Sequence, residues 1–387
     1  MRLVVTAATL AIVGTVLTSP VTGQQPASNA QVPAKLAPAK TTPPITAPAG
    51  KAANAGPDPA PPKTAEKSAG KGASTAATVP VIEAKTIFGA LGTPAPLPPR
   101  VIGFYSHGCL AGAEPMPIDG PLWQVMRLSR NRNWGHPDLV RLLQRLAGDA
   151  KSQDGWPGLL VGDMSQPRGG PMLTGHASHQ VGLDADIWLT PMPDHRLSAQ
   201  EREDLAATSM LGADDIQVDP AVWTPAHAKL IVRAASYPEV ERMFVHPGIK
   251  KALCLEPGID RANLRKIQPY YGHYYHMHIR IACPKGSDNC KPQIARPADD
   301  GCGKEVDQWV ANFRRSAAIS AARPKVVPDP NAPAVKRAPA KPGLLLAQLP
   351  SECRMVIDAG APGTLAEAIA KAKSAATATA SAPSSGE

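Results

Sequence analysis

Between residues 101 and 320 the apolar positions follow two rhythms. In HPDLVRLLQRLAGDA, residues 136–150, they recur every three to four residues, which lines one face of a helix, and Pro137 suits its first turn. A second helix is predicted over LSAQEREDLAATSML, 197–211, where Ser198 and Glu201 stand in the relation of a capping box. Thr224 and Pro225 open a third, AHAKLIVRAAS. Apolar and β-branched runs mark strands in GLLVGDMS (158–165), GLDADIWL (182–189), RMFVH (242–246) and YYHMHIRIAC (274–283). Short strands mixed with helices, without a βαβ period, predict an α+β fold with a small antiparallel sheet flanked by helices. No internal repeat is visible.

Composition confines that fold to part of the chain. Proline is 43 of 387 residues, roughly twice average usage, and only 16 residues are aromatic. All 10 His, all 6 Trp and every ring but Phe88 lie between 101 and 313. Residues 24–100 hold 15 prolines in Ala/Pro/Lys/Thr text, too little apolar surface to offset the entropy of ordering a backbone. The expected organisation is a signal peptide at 1–23 and a disordered linker at 24–100, then a folded domain at 101–320. A Pro/Lys-rich arm at 321–349 and a C-terminal segment with a disordered tail at 350–387 complete it.

Charge divides the same way. The formal net charge is +9, and the segments 24–100 and 321–349 alone carry +5 and +4, so the folded part is close to neutral. A nucleic-acid partner would need Lys/Arg and aromatics on one folded surface, which the sequence does not suggest. Two roles fit the basic arms, tethering near an anionic polymer or membrane face and simple soluble spacing.

The leader begins Met1, Arg2 and continues LVVTAATLAIVGTVLTSPVTG, one basic residue followed by an apolar run and small residues, as a Sec signal requires. No other apolar run is long enough to span a bilayer, and no Cys follows the leader to take a lipid. The expectation is an exported, soluble protein. Six cysteines, at 109, 254, 283, 290, 302 and 353, then meet an oxidising compartment in which thiols pair. Cys283 and Cys290 flank a short Gly/Ser-containing loop and form the natural local pair. Spacing leaves the other connectivities open. A bridge from Cys353 would staple the C-terminal segment onto the domain.

The histidines need a joint explanation. On a strand, residues i and i+2 share a face, so His276 and His278 point one way in YYHMHIRI, as do Asp184 and Asp186 in LDADIWL. Two imidazoles and a carboxylate from neighbouring strands, with His179 from the preceding turn, make a nitrogen/oxygen set suited to Zn2+. Three protein ligands leave a position for water, the mark of a catalytic rather than a structural site. A lone H-x-H also describes a solvated strand face; the joint presence of both motifs favours metal. Asp184 is either a partner that orients a ligand imidazole or a plain strand carboxylate. Gly169-Gly170-Pro171 reads as a turn that lets a substrate backbone approach closely, or as a simple loop.

GHASHQVGLDADIW and HYYHMHIRIACP resemble the penicillin-insensitive murein endopeptidases, within the wider group of lysostaphin-type enzymes, D-Ala-D-Ala carboxypeptidases and the hedgehog fold. The resemblance extends through GFYSHGCLAGA, GHPDL, GDMSQPRGGPM, FVHPGIKKALC, DDGC and the SEC of Cys353. It implies a periplasmic, zinc-dependent hydrolase of the D-alanyl to meso-diaminopimelyl cross-links of peptidoglycan. His179, Asp186 and His278 match metal ligands, and His176 a histidine near the metal. His276 matches the catalytic base or transition-state stabiliser, and His273 a second active-site histidine. The implied disulfides are Cys109 with Cys353, Cys254 with Cys302, and Cys283 with Cys290.

One departure stands out: where the family can hold a second metal with an Asp and a His, this chain has Asp214 but Gln217, and Asp214 reads as a surface turn residue. No S-x-x-K with S-D-N and K-T-G is present, so a penicillin-trapped serine is not expected. The alternatives are a D,D- or L,D-carboxypeptidase using the same metal set and a non-catalytic wall-binding protein, which would not need His276.

Overall fold

The computed structural model describes residues 82–322 and 343–360, together with 366–367 and 370. The expected signal peptide at 1–23, most of the expected linker, residues 323–342 of the arm and most of the tail lie outside the described residues. In chain order, α1 (Ala84–Gly89) precedes the antiparallel hairpin β1 (Arg100–Phe104) and β2 (His107–Ala111). Short strands β3 (Glu114–Pro115), β4 (Asp119–Gly120), β5 (Trp123–Val125) and β6 (Trp134–Gly135) follow. Next come α2 (Pro137–Asp154), β7 (Leu159–Val161), β8 (Asp184–Trp188), α3 (Ala199–Asp204) and α4 (Pro225–Ser236). The remaining elements are β9 (Val240–Val245), α5 (Pro247–Leu255), β10 (Ile267–Pro269), β11 (His276–Ile281), α6 (Lys304–Ala322) and α7 (Glu352–Asp358).

The α+β expectation holds. A sheet of order β10-β9-β11-β8-β7-β5-β4 is antiparallel through its centre, and it continues outward through the parallel pairs β9/β10 and β5/β7. Helix α2 starts where Pro137 predicts, with His136 Nδ1 accepting from Asp138 N, and it stops at Gly155, whose φ of +71° ends the helix. Its Leu139, Leu142, Leu143 and Leu146 join Leu230 and Ile231 of α4 and the inward residues Ala185, Ile187, Met277 and Ile279 in one core. Burying each such Leu or Ile contributes about 1.5–3 kcal/mol. A one-residue slip of β8 against β11 would exchange these for Asp186 and His278, so the alternation pins the register. That register sets His278 opposite Asp186, His276 opposite Trp188 and Arg280 opposite Asp184.

Three boundaries differ from expectation. Residues 82–100 belong to the fold rather than to the linker, and so do 343–349 of the arm. Ile87, Phe88 and Leu91 form a second core with Ile102, Leu349, Val356 and Ile357, closed by the Cys109–Cys353 disulfide. Composition averaged over a long proline-rich stretch hides so short an apolar cluster; Phe88, the lone outlying ring, was its trace. The predicted second helix is also shorter, because the Arg127 guanidinium takes the carbonyls of Arg202, Glu203 and Leu205, and Leu205 leaves helical geometry. Cys254–Cys302 and Cys283–Cys290 are the other disulfides, the pairing that the resemblance implies.

The Gly169-Gly170 turn is real, with φ of +65° and +75° that favour glycine, but it is buried. A Cβ at Gly170 would meet the Phe88 ring at 2.2 Å, so the glycine admits Phe88 rather than a substrate. Beside it, the Arg168 guanidinium donates to the carbonyls of Val356, Ile357 and Ala359, which ties this turn to the C-terminal segment.

Candidate metal centre

Asp186 lies in mid-β8, buried, with its carboxylate on the face away from the core. Its Oδ1 is 3.5 Å from His179 Nε2, 3.3 Å from His278 Nδ1 and 3.6 Å from His276 Nε2, and its Oδ2 is 3.5 Å from His176 Nδ1. Five residues named from sequence therefore converge on one point. These separations are at or beyond the limit of good hydrogen bonds. They are close to the edge of a tetrahedron built on metal–ligand bonds of about 2.0–2.1 Å, roughly 3.3–3.4 Å.

The nitrogen that each ring presents is set by its other nitrogen. His179 Nδ1 is 2.7 Å from the Met164 carbonyl, which can only accept, so the proton sits on Nδ1 and Nε2 offers a lone pair toward Asp186. His179 itself has a φ of +66° and is held there by its backbone N–H donating to Asp184 Oδ2 at 3.0 Å. His176 Nε2 lies 3.0 Å from Asp163 Oδ2, which leaves Nδ1 for the centre. His278 Nε2 lies 3.0 Å from Asp184 Oδ1, which turns Nδ1 toward Asp186. Arg280 holds Asp184 in turn, Nε donating to Oδ1 at 2.7 Å and a terminal nitrogen to Oδ2 at 3.3 Å. Asp184 is thus the orienting partner, not an idle strand carboxylate.

Four buried atoms lack a hydrogen-bond partner at this point, His179 Nε2, Asp186 Oδ1, His276 Nδ1 and His278 Nε2, and the first two face each other at 3.5 Å. Leaving a buried acceptor unsatisfied costs about 1–3 kcal/mol, so two aimed at each other's neighbourhood call for a shared positive partner. His176, His179 and Asp186 each offer a ligand atom, all within 4.8 Å of one another. A divalent cation fits this donor set.

Burial acts to raise the pKa of Asp186, but the facing His276, His179 and His176 outweigh it and hold the carboxyl well below its usual range. Burial pushes His276 down to about 4. Burial and the adjacent His276 and His278 also depress His273 strongly. Burial opposes charge on His278 as well, yet Asp184 and Asp186 together raise it.

His273, at a φ of +52°, has its ring centroid 4.9 Å from that of His276, with Nδ1 2.7 Å from the Tyr271 carbonyl. It stands beside the centre rather than on Asp186. A cavity of about 210 Å3 opens against His276 and Asp186, walled by Arg127, Arg130, Asp163, Trp188, Tyr274 and Tyr275. Asp214 is not among the residues grouped around Asp186. Its carboxylate accepts from Ile216 N, Gln217 N and Gln217 Nε2, which makes it the turn residue expected.

Asp163, the Met164 carbonyl, Arg280 and Arg130 went unnamed in the sequence reading. Arg280 was within reach, because the i+2 rule that pairs His276 with His278 puts it on the same face. Asp163 and Met164 lie in the block GDMSQPRGGPM, but nothing local says that they meet the histidine loop.

Residues 101–358 match the family described as penicillin-insensitive murein endopeptidase. The chain belongs to this family. A penicillin-insensitive murein endopeptidase of Yersinia enterocolitica is 43% identical over 231 residues, 59% of this chain and 83% of that protein. One of Pectobacterium atrosepticum is 42% identical over 250 residues, 65% of this chain and 87% of the relative. One of Haemophilus influenzae is 44% identical over 227 residues, 59% and 78% of the two chains. The family match runs from within β1 to the end of α7 and leaves the α1 part of the second core, with Ile87, Phe88 and Leu91, outside it. Among the described residues no helix is long and apolar enough to cross a membrane.

Proposed function

We propose that this chain is a zinc-dependent murein DD-endopeptidase that hydrolyses D-alanyl to meso-diaminopimelyl cross-links of peptidoglycan in the periplasm, exported by residues 1–23. The observation that carries the reading is Asp186 Oδ1, buried, without a hydrogen bond and faced by three imidazole nitrogens at 3.3–3.6 Å. Family membership supports the substrate class.

His179, Asp186 and His278 would hold the ion, with His176 at its open edge. When bound, zinc supplies Lewis acidity, lowering the pKa of a water toward about 7 and polarising the scissile carbonyl. His276 forms a wall of the cavity and turns Nε2 toward the centre. There it receives the proton of the attacking water and returns it to the leaving amine. His273 packs beside that ring, limiting its rotation. With its Nδ1 proton on the Tyr271 carbonyl, its Nε2 is a second proton-accepting atom. The Asp184–Arg280 pair keeps His278 in one orientation.

Digestion of purified sacculi, followed by muropeptide analysis, tests the reading. Cross-linked dimers are expected to become monomers, with the conversion stopped by a chelator; loss of terminal D-Ala with dimers intact would make the protein a carboxypeptidase instead. His276→Ala is expected to lower the rate about 10²- to 10⁴-fold. If it leaves the rate unchanged while His273→Ala abolishes it, His273 is the base.

A further inference from the structure

Two arginines line the cavity beside His276, and the proposed chemistry uses neither. Arg127 spends its guanidinium on three backbone carbonyls and lies over the Trp188 ring. Arg130 differs. Its side chain is 46% exposed, and its one side-chain hydrogen bond among the described residues runs from one terminal nitrogen to Asp163 Oδ2 at 3.0 Å. Asp163 is already matched from the buried side by Arg132, at 2.9 Å. Arg130 is therefore a surplus positive charge with free N–H donors at the mouth of the site.

The backbone holds it there at a cost. Arg130 ends a short 3-10 turn, Leu128–Arg130, bracketed by Arg127 and Asn131, both non-glycine residues in the left-handed region at φ of +57° and +50°. The conformation is over-determined by the Arg127 bonds, by Glu203 accepting from Ser129 N and Oγ, and by Asn131 bonded to Trp134 and Gly92. Strain of about 1–3 kcal/mol per such residue persists where surrounding contacts enforce it, and it concentrates at functional sites.

Resting on the endopeptidase reading, we propose that Arg130 is a specificity-determining residue that binds the carboxylate on the carbon bearing the scissile nitrogen. In the cross-link, that carbon is the D-centre of diaminopimelate, whose carboxylate is free. If His276 hands its proton to the leaving nitrogen, the leaving side faces the cavity that His276 and Arg130 both line. The neighbouring carboxylate then falls within the space that the guanidinium overlooks, and a planar fork matches a carboxylate with two parallel bonds.

The test uses two ligands, a monomeric disaccharide tetrapeptide with that D-centre carboxylate free and the same molecule amidated there. Calorimetric titration of the full-length protein is expected to show roughly 10- to 100-fold tighter binding of the free acid. Arg130→Ala should bring the ratio toward one, and Arg130→Lys should leave part of it. Arg132→Ala, which disturbs Asp163 from the buried side, should shift both ligands alike. Equal wild-type affinity for the two, or a ratio that survives in Arg130→Ala, would overturn the assignment. Cleavage of matched free and amidated dimers separates the two readings. Binding that discriminates, in a protein that cleaves neither dimer, sinks the endopeptidase reading and leaves the carboxylate site standing.

Discussion

Asp184 and Asp186 stand two residues apart on one strand, on the same face, both buried, and they do opposite work. Asp184 is surrounded by the Arg280 guanidinium and the His179 backbone N–H, which donate to it, and by His278 Nε2 at 3.0 Å. It is electrically complete. Asp186 is surrounded by imidazole nitrogens turned toward it with lone pairs, and its Oδ1 has no hydrogen bond. Residue type, burial and strand geometry are shared, so only the partners separate a structural carboxylate from one placed to hold a cation. The partner sets differ because the tautomers differ, and Met164, Asp163 and Asp184 fix the tautomers.

The comparison breaks most sharply at Asp186. Asp186→Ala is expected to lower the rate of cross-link cleavage about 10³-fold or more and to abolish stoichiometric metal binding, read by muropeptide analysis and metal quantitation. The fold should survive, because the replacement removes a buried charge rather than orphaning one. Retained zinc in that variant would place the centre elsewhere.

Asp184→Asn should act in the other currency. It leaves Arg280 buried without its counter-charge, so stability should fall by several kcal/mol in chemical denaturation. Metal affinity should fall by a smaller factor, about 10- to 100-fold. Acid sharpens the point. Burial disfavours the ionised form of Asp184, but Arg280 and His278 outweigh it and hold the native pKa far below the unfolded value of about 3.9. Its contribution is therefore complete above about pH 4 and is lost as pH falls toward the native value. Wild type should lose stability steeply between about pH 4 and pH 2, and Asp184→Asn, weaker at pH 7, should lose less over the same window.

The smallest effect belongs to a third carboxylate. Asp214→Ala removes bonds to Ile216 and Gln217 in an exposed turn and should cost about 1 kcal/mol or less, with metal content and cleavage rate unchanged. A marked loss of either would give Asp214 a role that its surroundings do not suggest.

Much of the site was legible because period-two geometry is local. His276, His278, Asp184 and Asp186 share faces by the pleat alone, and their strands also read clearly as strands. The α2 start at Pro137 and the Ser198–Glu201 capping box were equally plain, since both depend on residues within one turn. The outer boundaries were not legible. Phe88 is buried against Gly170 and the C-terminal helix, contacts that span about 80 to 270 residues of sequence. The Gly169-Gly170 turn was readable as a turn, but its burial depends on that distant ring. The parallel pairings at β5/β7 and β9/β10 also escaped, because a strand's text does not name its neighbour.

The sequence by itself determined which side chains were candidates for the centre and which face of each strand they share, because those follow from backbone period and residue type. Tertiary structure alone decided what each group is for. Whether a buried carboxylate is a ligand or an anchor, and whether an arginine braces a loop or waits for a carboxylate, depends on donors and acceptors brought from far along the chain. Those electrostatic terms fall off over a few ångströms, so no local reading of the sequence can supply them.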